Sequence, residues 1–173
     1  MNTQSHKKLL FLCTGNYYRS RFSEHFFNQL AEKKELQWRA DSRGLAIEWG
    51  TGSLRAISPH AIKGLQQRGL TMSNDERFPI QAVDTDFTTA DKIIALDKHE
   101  HHPIMEKRFP RWANAIEYWI VHDIDKTYPP LALRQIEQNL CQLIDSLINR
   151  YTIPDYRIIQ KNSILNFRSL PSL

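Results

Sequence analysis

Lys8-Leu9-Leu10-Phe11-Leu12-Cys13 runs directly into Thr14-Gly15-Asn16-Tyr17-Tyr18-Arg19-Ser20, and the reading of this stretch decides the fold. An unbroken apolar run that stops at a glycine-bearing turn is the pattern of a strand covered on both faces. From Ser20 onward Phe22, Phe26, Phe27, Leu30 and Ala31 recur at three- and four-residue spacing, which predicts an amphipathic helix to about Leu36. Strand, tight turn and helix in that order open an α/β fold.

Working outward, residues 37–42 supply a second short strand, and 44–53 form a glycine-rich loop that contains Trp49. Ser58-Pro59 starts a helix, with serine as cap and proline at the first helical position, and Arg68-Gly69 ends it. Residues 71–85 are polar, broken by Pro79, and read as a connection. Residues 92–96 form a third strand ending at Asp97, 99–108 a helix despite Pro103, and 116–121 a fourth strand. Pro129-Pro130 opens the clearest helix, with the stripe Leu133, Ile136, Leu140, Leu143, Ile144 and Leu147. Strands alternating with helices give the expected fold: α/β, a doubly wound four-stranded parallel sheet flanked by helices, with a phosphate-binding loop after strand one. Residues 1–150 are expected to be one domain, and 151–173 a C-terminal tail, packed or mobile.

The chain has 173 residues, of which 41% are hydrophobic and 24% charged, an ordinary composition for one folded domain rather than a disordered or fibrous chain. A formal net charge of +4 suits phosphorylated partners but is too small to mark a nucleic-acid binder. The apolar run 9–13 is far too short to span a membrane, and no signal-peptide core follows Lys7 and Lys8, so a mature, cytoplasmic protein is expected. Cys13 and Cys141 stand far apart, a weak case for a disulfide, which turns attention to thiol reactivity.

Ligands of open parallel sheets bind beyond the carboxyl ends of the strands, where Cys13 sits. In the Cys-x5-Arg-Ser loop, backbone N–H groups of Thr14, Gly15, Asn16, Tyr17 and Tyr18 can converge on a dianionic phosphate, helped by the positive end of the following helix. The same field favours a thiolate at Cys13. Arg19 offers the planar paired donors that hold two phosphate oxygens, and Ser20 can donate its hydroxyl to the Cys13 sulfur as it attacks and as it leaves. Asn16 tolerates the left-handed backbone of a tight anion loop. A cysteine ending a buried strand is by itself ordinary packing; it is the combination with Gly15, Asn16, Arg19 and Ser20 that points to a nucleophile in an anion cradle. Cleaving a phosphate ester also requires a proton for the departing oxygen, and Asp123 and Asp125, both after strand four, are candidate donors.

This loop resembles that of the low-molecular-weight protein tyrosine phosphatases, Cys-x-Gly-Asn-x-x-Arg-Ser. The likeness extends through Glu48-Trp49, Ser58-Pro59-His60-Ala61, Asp86-Phe87, Ala90-Asp91, Ala95-Leu96-Asp97 and Trp119-Ile120-Val121-His122-Asp123, covering about residues 8–150. The resemblance implies a cysteine-dependent phosphatase that hydrolyses aryl phosphate monoesters through a phosphocysteine, without metal or cofactor. Its implied catalytic residues are Cys13, Arg19 and, by the pattern Trp-x-Val-x-Asp-Pro, Asp123 in preference to Asp125, although Ile124 replaces the proline. Its implied partner is a phosphotyrosine-containing protein or a small aryl phosphate, not a nucleic acid or a membrane. Trp49 and Tyr17 are candidate walls of the substrate crevice, with Tyr18 a weaker candidate.

The chain also departs from the family. Tyr18 stands where many members carry a second cysteine, the family's His-x-x-Arg-Gln segment has Arg77 and Gln81 but no histidine, and the tyrosine pair after the acid is missing. His99, Glu100, His101 and His102 read as a solvated helix start rather than metal ligands, the stretch from Gly50 to Ser53 as a flexible cleft edge, and Cys141 as packing rather than a resolving thiol. Two alternatives stay open: an arsenate reductase built on the same loop, and a non-catalytic phosphotyrosine-binding module.

Overall fold

β1 (Lys7–Cys13) lies inside a sheet ordered β2-β1-β3-β4, with β2 (Trp38–Gly44), β3 (Lys92–Ala95) and β4 (Glu117–Tyr118) all paired parallel. The computed structural model describes residues 6–50, 55–72 and 76–152. Because side chains alternate across a strand, β1 sends Leu9 and Phe11 to one face and Leu10 and Leu12 to the other, and β3 divides Ile94 from Ile93 and Ala95 in the same way. The first face is covered by α1 (Arg19–Lys33), α2 (Pro59–Gln66) and α5 (Pro129–Thr152), through Phe22, Phe27, Leu65, Ile136 and Leu140. The second is covered by α3 (Asp84–Thr89) and α4 (Lys98–Arg108), through Phe87, Ile104 and Met105. Each such buried side chain contributes about 1.5–3 kcal/mol, and the two cores fix the sheet from both sides. The chain is therefore the doubly wound four-stranded parallel α/β fold expected from its sequence.

The element ends follow local chemistry. α1 stops at Lys33, three residues before Leu36, because Glu35 turns left-handed (φ 53°) while Leu36 N–H bonds back to the Ala31 carbonyl at 2.9 Å. α2 begins as its Ser-Pro pair requires, the Ser58 hydroxyl accepting from His60 N–H at 3.2 Å, and Gly69 (φ 80°) follows its end. The expected connection 71–85 is only partly one. Its end, Asp84 and Thr85, belongs to α3, and before that the chain closes the end of β2 through Gly44 N–H to Ile80 O and Ala82 N–H to Gly44 O, both 2.8 Å.

The fourth strand is shorter than 116–121. Regular pairing covers Glu117 and Tyr118, after which Trp119 N–H bonds Ala95 O and Val121 N–H bonds Leu96 O, each at 2.9 Å, in an irregular extension toward the site. The glycine-rich loop holds one turn of 3-10 helix, Ile47–Trp49. The expected boundary after residue 150 falls inside α5, and 153–173 lie outside the described residues, as do 51–54. No helix among the described residues is long and apolar enough to cross a membrane.

Candidate active site

β1 delivers Cys13 to the carboxyl edge of the sheet, the loop turns through Asn16 at φ 49°, and α1 begins at Arg19. Cys13 is 3% exposed yet borders a cleft of about 810 Å³, together with Thr14, Gly15, Tyr17, Tyr18 and Arg19. Its Sγ lies 2.9 Å from Ser20 Oγ. Ser20 Oγ already accepts from Asn16 Nδ2 at 3.0 Å, which leaves its own hydrogen for the sulfur.

The loop is braced from behind by Asn16 and Arg77. Asn16 is fully buried; its Nδ2 also reaches Ser42 Oγ at 2.8 Å, and its Oδ1 accepts from Ile80 N–H and Arg77 Nη1, both at 3.0 Å. Because a backbone N–H can only donate, the Ile80 contact fixes which end of the amide is oxygen. Arg77 Nη2 continues to Glu24 Oε2 at 2.9 Å, Asp41 Oδ1 at 3.1 Å and the Ser42 carbonyl at 3.0 Å. Arg77 thus holds the loop in a chain that lacks the family histidine.

Arg19 is 2% exposed. Its Nη1 donates to the Val121 carbonyl at 3.0 Å, and its Nη2 contacts Asp123 Oδ2 at 2.9 Å and Glu100 Oε1 and Oε2 at 3.0 and 2.9 Å. Burial works against its cationic form, but the Cys13 sulfur and the Asp123 and Glu100 carboxylates outweigh it and hold the guanidinium above its ordinary value. Asp123 lines the cleft. Asp125, in the exposed turn that follows, does not.

Tyr17 is half-buried and Trp49 is 54% exposed; both line the cleft, with the Arg108 guanidinium 5.0 Å from the Trp49 ring. Tyr18 borders the cleft but turns inward to the core, its hydroxyl donating to the Pro129 carbonyl at 3.2 Å. Burial, then Asp123, pushes that phenol well above its usual range, so Tyr18 serves as a neutral donor.

Several cleft residues escaped the sequence reading. Phe78, Pro79 and Ile124 form an apolar rim, Phe78 and Ile124 being 62% and 50% exposed. Glu100 and His101 correct part of an expectation: His99 is exposed at the start of α4 as a solvated helix start requires, but Glu100 is half-buried and His101 is not solvated at all. Asp97 caps α4 by accepting from His99 N–H at 3.0 Å, which turns Glu100 into the cleft and buries His101 completely. A helical count of one turn onward from Asp97, with Ile104 and Met105 on the same inward face, was the available signal. No group of three or more His, Cys, Asp or Glu side chains suited to a metal occurs among the described residues. Cys141 is exposed on α5 rather than packed, because it sits one position past the buried Leu140; partial desolvation, then Glu137 and Asp145, push its thiol up. It does not line the cleft.

Comparison with known proteins agrees with this architecture. The family model described as low molecular weight phosphotyrosine protein phosphatase matches residues 8–127. The low molecular weight phosphotyrosine protein phosphatase of Sus scrofa is 31% identical over 100 residues, 57% of this chain and 60% of that protein, so the chain spans about three fifths of the length of this relative. The protein-arginine-phosphatase of Bacillus subtilis is 27% identical over 108 residues, covering 62% of this chain and 67% of that one. The crystal structure of a low molecular weight phosphotyrosine phosphatase from Vibrio cholerae O395 superimposes with a TM-score of 0.70 at 21% identity, covering 85% of this chain and 99% of that chain, a likeness of fold. With the family model spanning most of the chain and the same sheet beneath the same loop, the protein belongs to the low molecular weight phosphotyrosine protein phosphatase family.

Proposed function

We propose that this protein hydrolyses aryl phosphate monoesters, with protein phosphotyrosine as its substrate class, through a phosphocysteine. The observation that carries the reading is the Cys13 sulfur, 2.9 Å from a hydroxyl whose oxygen is already engaged, at the edge of a cleft where a buried guanidinium waits beside a carboxyl group.

In the first step the Cys13 thiolate attacks phosphorus. The S–P bond forms as the P–O bond to the aryl group breaks, and Asp123 gives its proton to the departing oxygen. Arg19 and the loop N–H groups stabilise charge on the phosphoryl group in flight. In the second step the Asp123 carboxylate takes a proton from water as that water attacks phosphorus; the S–P bond breaks and the thiolate returns, stabilised by the Ser20 hydroxyl. Asp123 accepts from Arg19 Nη2, a contact that an arriving phosphate oxygen competes for, leaving the carboxyl group to face the leaving oxygen. Tyr17, Trp49, Phe78 and Ile124 give the cleft apolar walls suited to a phenyl ring, contacts that the shorter phosphoserine side chain would not make. An arsenate reductase would need a second thiol to accept oxidising equivalents, and Cys141 stands outside the cleft.

The test is p-nitrophenyl phosphate turnover. Wild type is expected to hydrolyse it, Cys13→Ser to lose all turnover, and Asp123→Asn to lose about 10²–10⁴-fold in kcat, the range of a positioned general acid. Turnover surviving in Cys13→Ser removes the mechanism. Phosphopeptide binding by wild type without phosphate release supports a binding module instead.

A further inference from the structure

Arg19 Nη2 has two hydrogens, and both face carboxylates, Glu100 at 2.9 and 3.0 Å and Asp123 at 2.9 Å. The two acids are not equivalent. Asp123 sits at the mouth of an exposed turn, with a side chain 36% exposed. Glu100, at 25%, is anchored on α4, accepts from the Thr14 hydroxyl and faces His101 Nε2 at 3.5 Å. His101 is fully buried, and its Nδ1 accepts from Asp97 N–H at 2.9 Å, so Nε2 carries the ring hydrogen and turns it toward Glu100. That nitrogen has no other partner.

The two-step reaction gives Glu100 no proton to move. Burial pushes its carboxyl up, but His101, Arg19 and Thr14 together hold it well below the usual carboxylate range. It is a fixed negative charge on the guanidinium edge that a phosphate oxygen would use, and it lines the same cleft as Cys13.

We propose that Glu100 is a specificity-determining residue: a resident carboxylate that competes with the incoming oxyanion for Arg19 Nη2 and so weakens the hold on phosphate, both in the substrate and as released product. The proposal rests on the reading of this cleft as a phosphate site. Its consequence is faster product escape at the cost of a higher KM for dianionic esters, since charge repulsion acts on the bound phosphate before and after the chemistry.

The test compares wild type with Glu100→Gln, which keeps size and an acceptor oxygen, and Glu100→Asp, which keeps the charge. The first readout needs no turnover: protection of Cys13 from alkylation by iodoacetamide as inorganic phosphate is titrated. Glu100→Gln is expected to tighten the protection constant about tenfold by removing the repulsion, and to raise the rate with anionic iodoacetate relative to neutral iodoacetamide. Glu100→Asp is expected to stay near wild type in both. With p-nitrophenyl phosphate, KM should fall in Glu100→Gln by more than kcat changes. An unchanged or weaker phosphate constant in Glu100→Gln, an unchanged iodoacetate-to-iodoacetamide ratio, or equal tightening in Glu100→Asp overturns the proposal. If phosphate protects neither protein, the proposal and the phosphate-site reading fall together. If protection tightens in Glu100→Gln while wild type turns over no ester, the proposal stands and the phosphatase reading alone fails.

Discussion

Asn16 holds its left-handed backbone because every polar atom of its buried amide is engaged, and Arg77 supplies one of those contacts from a position 61 residues away. Replacing Arg77 with methionine keeps the aliphatic bulk but leaves Glu24 and Asp41 without that cation and Asn16 Oδ1 with the Ile80 N–H alone. The expected result is a loss of about 1–3 kcal/mol in urea unfolding. Because Arg77 acts through Asn16 and not on the substrate, kcat should fall by more than KM rises, and Arg77→Lys should recover part of both.

His101 makes a second prediction, in pH. Burial, the largest influence, pushes its imidazole below the ordinary value despite the pull of Glu100, and burial does the same at His25. The unfolded chain therefore binds protons near pH 6.5 that the folded chain refuses. Stability from these groups is fully present above about pH 6.5 and is lost as pH falls toward the depressed folded values, by at most about 1.4 kcal/mol per pH unit for each group. Urea midpoints measured from pH 7.5 to 5 should decline, and His101→Asn, which keeps an acceptor for the Asp97 N–H, should flatten the decline.

Where elements meet, space rather than charge decides. β1 and β2 end side by side, Cys13 opposite Gly44. A Cβ on Gly44 would collide with Ile47 Cγ2 and lie 3.0 Å from the Thr14 carbonyl oxygen and 3.1 Å from Asn16 Cβ, whereas one on Gly15 meets nothing within 4 Å. The strand-end glycine, not the glycine of the loop motif, is therefore the sterically demanded one. Gly44→Ala is expected to cost about 1–3 kcal/mol by overpacking and to depress turnover by pushing on Thr14 and Asn16, while Gly15→Ala should stay within about 0.5 kcal/mol of wild type. Urea unfolding of the pair separates the two.

Across the molecule, the candidate site draws on both faces of the sheet. Cys13 and Arg19 come from β1 and α1, Glu100 from α4 on the opposite layer, and Asp123 from the chain beyond β4. α5 supports this arrangement without entering the cleft. Ile136→Ala, at a fully buried α5 position, should therefore destabilise by about 2–5 kcal/mol while kcat/KM of the protein still folded at low temperature remains near wild type. A fall in kcat/KM matching the stability loss would mean that α5 packing is transmitted to the loop.

Local pattern was enough to read β1, the loop, α1, the cap of α2 and the stripe of α5, because apolar spacing, a Ser-Pro start and a glycine turn act over a few residues. It also singled out Cys13 and Arg19, which line one cleft in the fold with Asp123, the acid that the family resemblance preferred to Asp125, while Ser20 stands buried behind them against the Cys13 sulfur. Phe78 carries no local signal, and the signals that Glu100 and Arg77 do carry, one turn of helix from Asp97 and a place in a family-like segment, do not say what either side chain touches. Each is an ordinary polar or aromatic residue in the chain, and its place at the cleft or behind the loop comes from packing α4 and the 76–82 segment against the end of β1. Strand and helix are written in neighbouring residues, whereas the charge around Arg19 is set by long-range contacts that exist only once both layers have closed on the sheet.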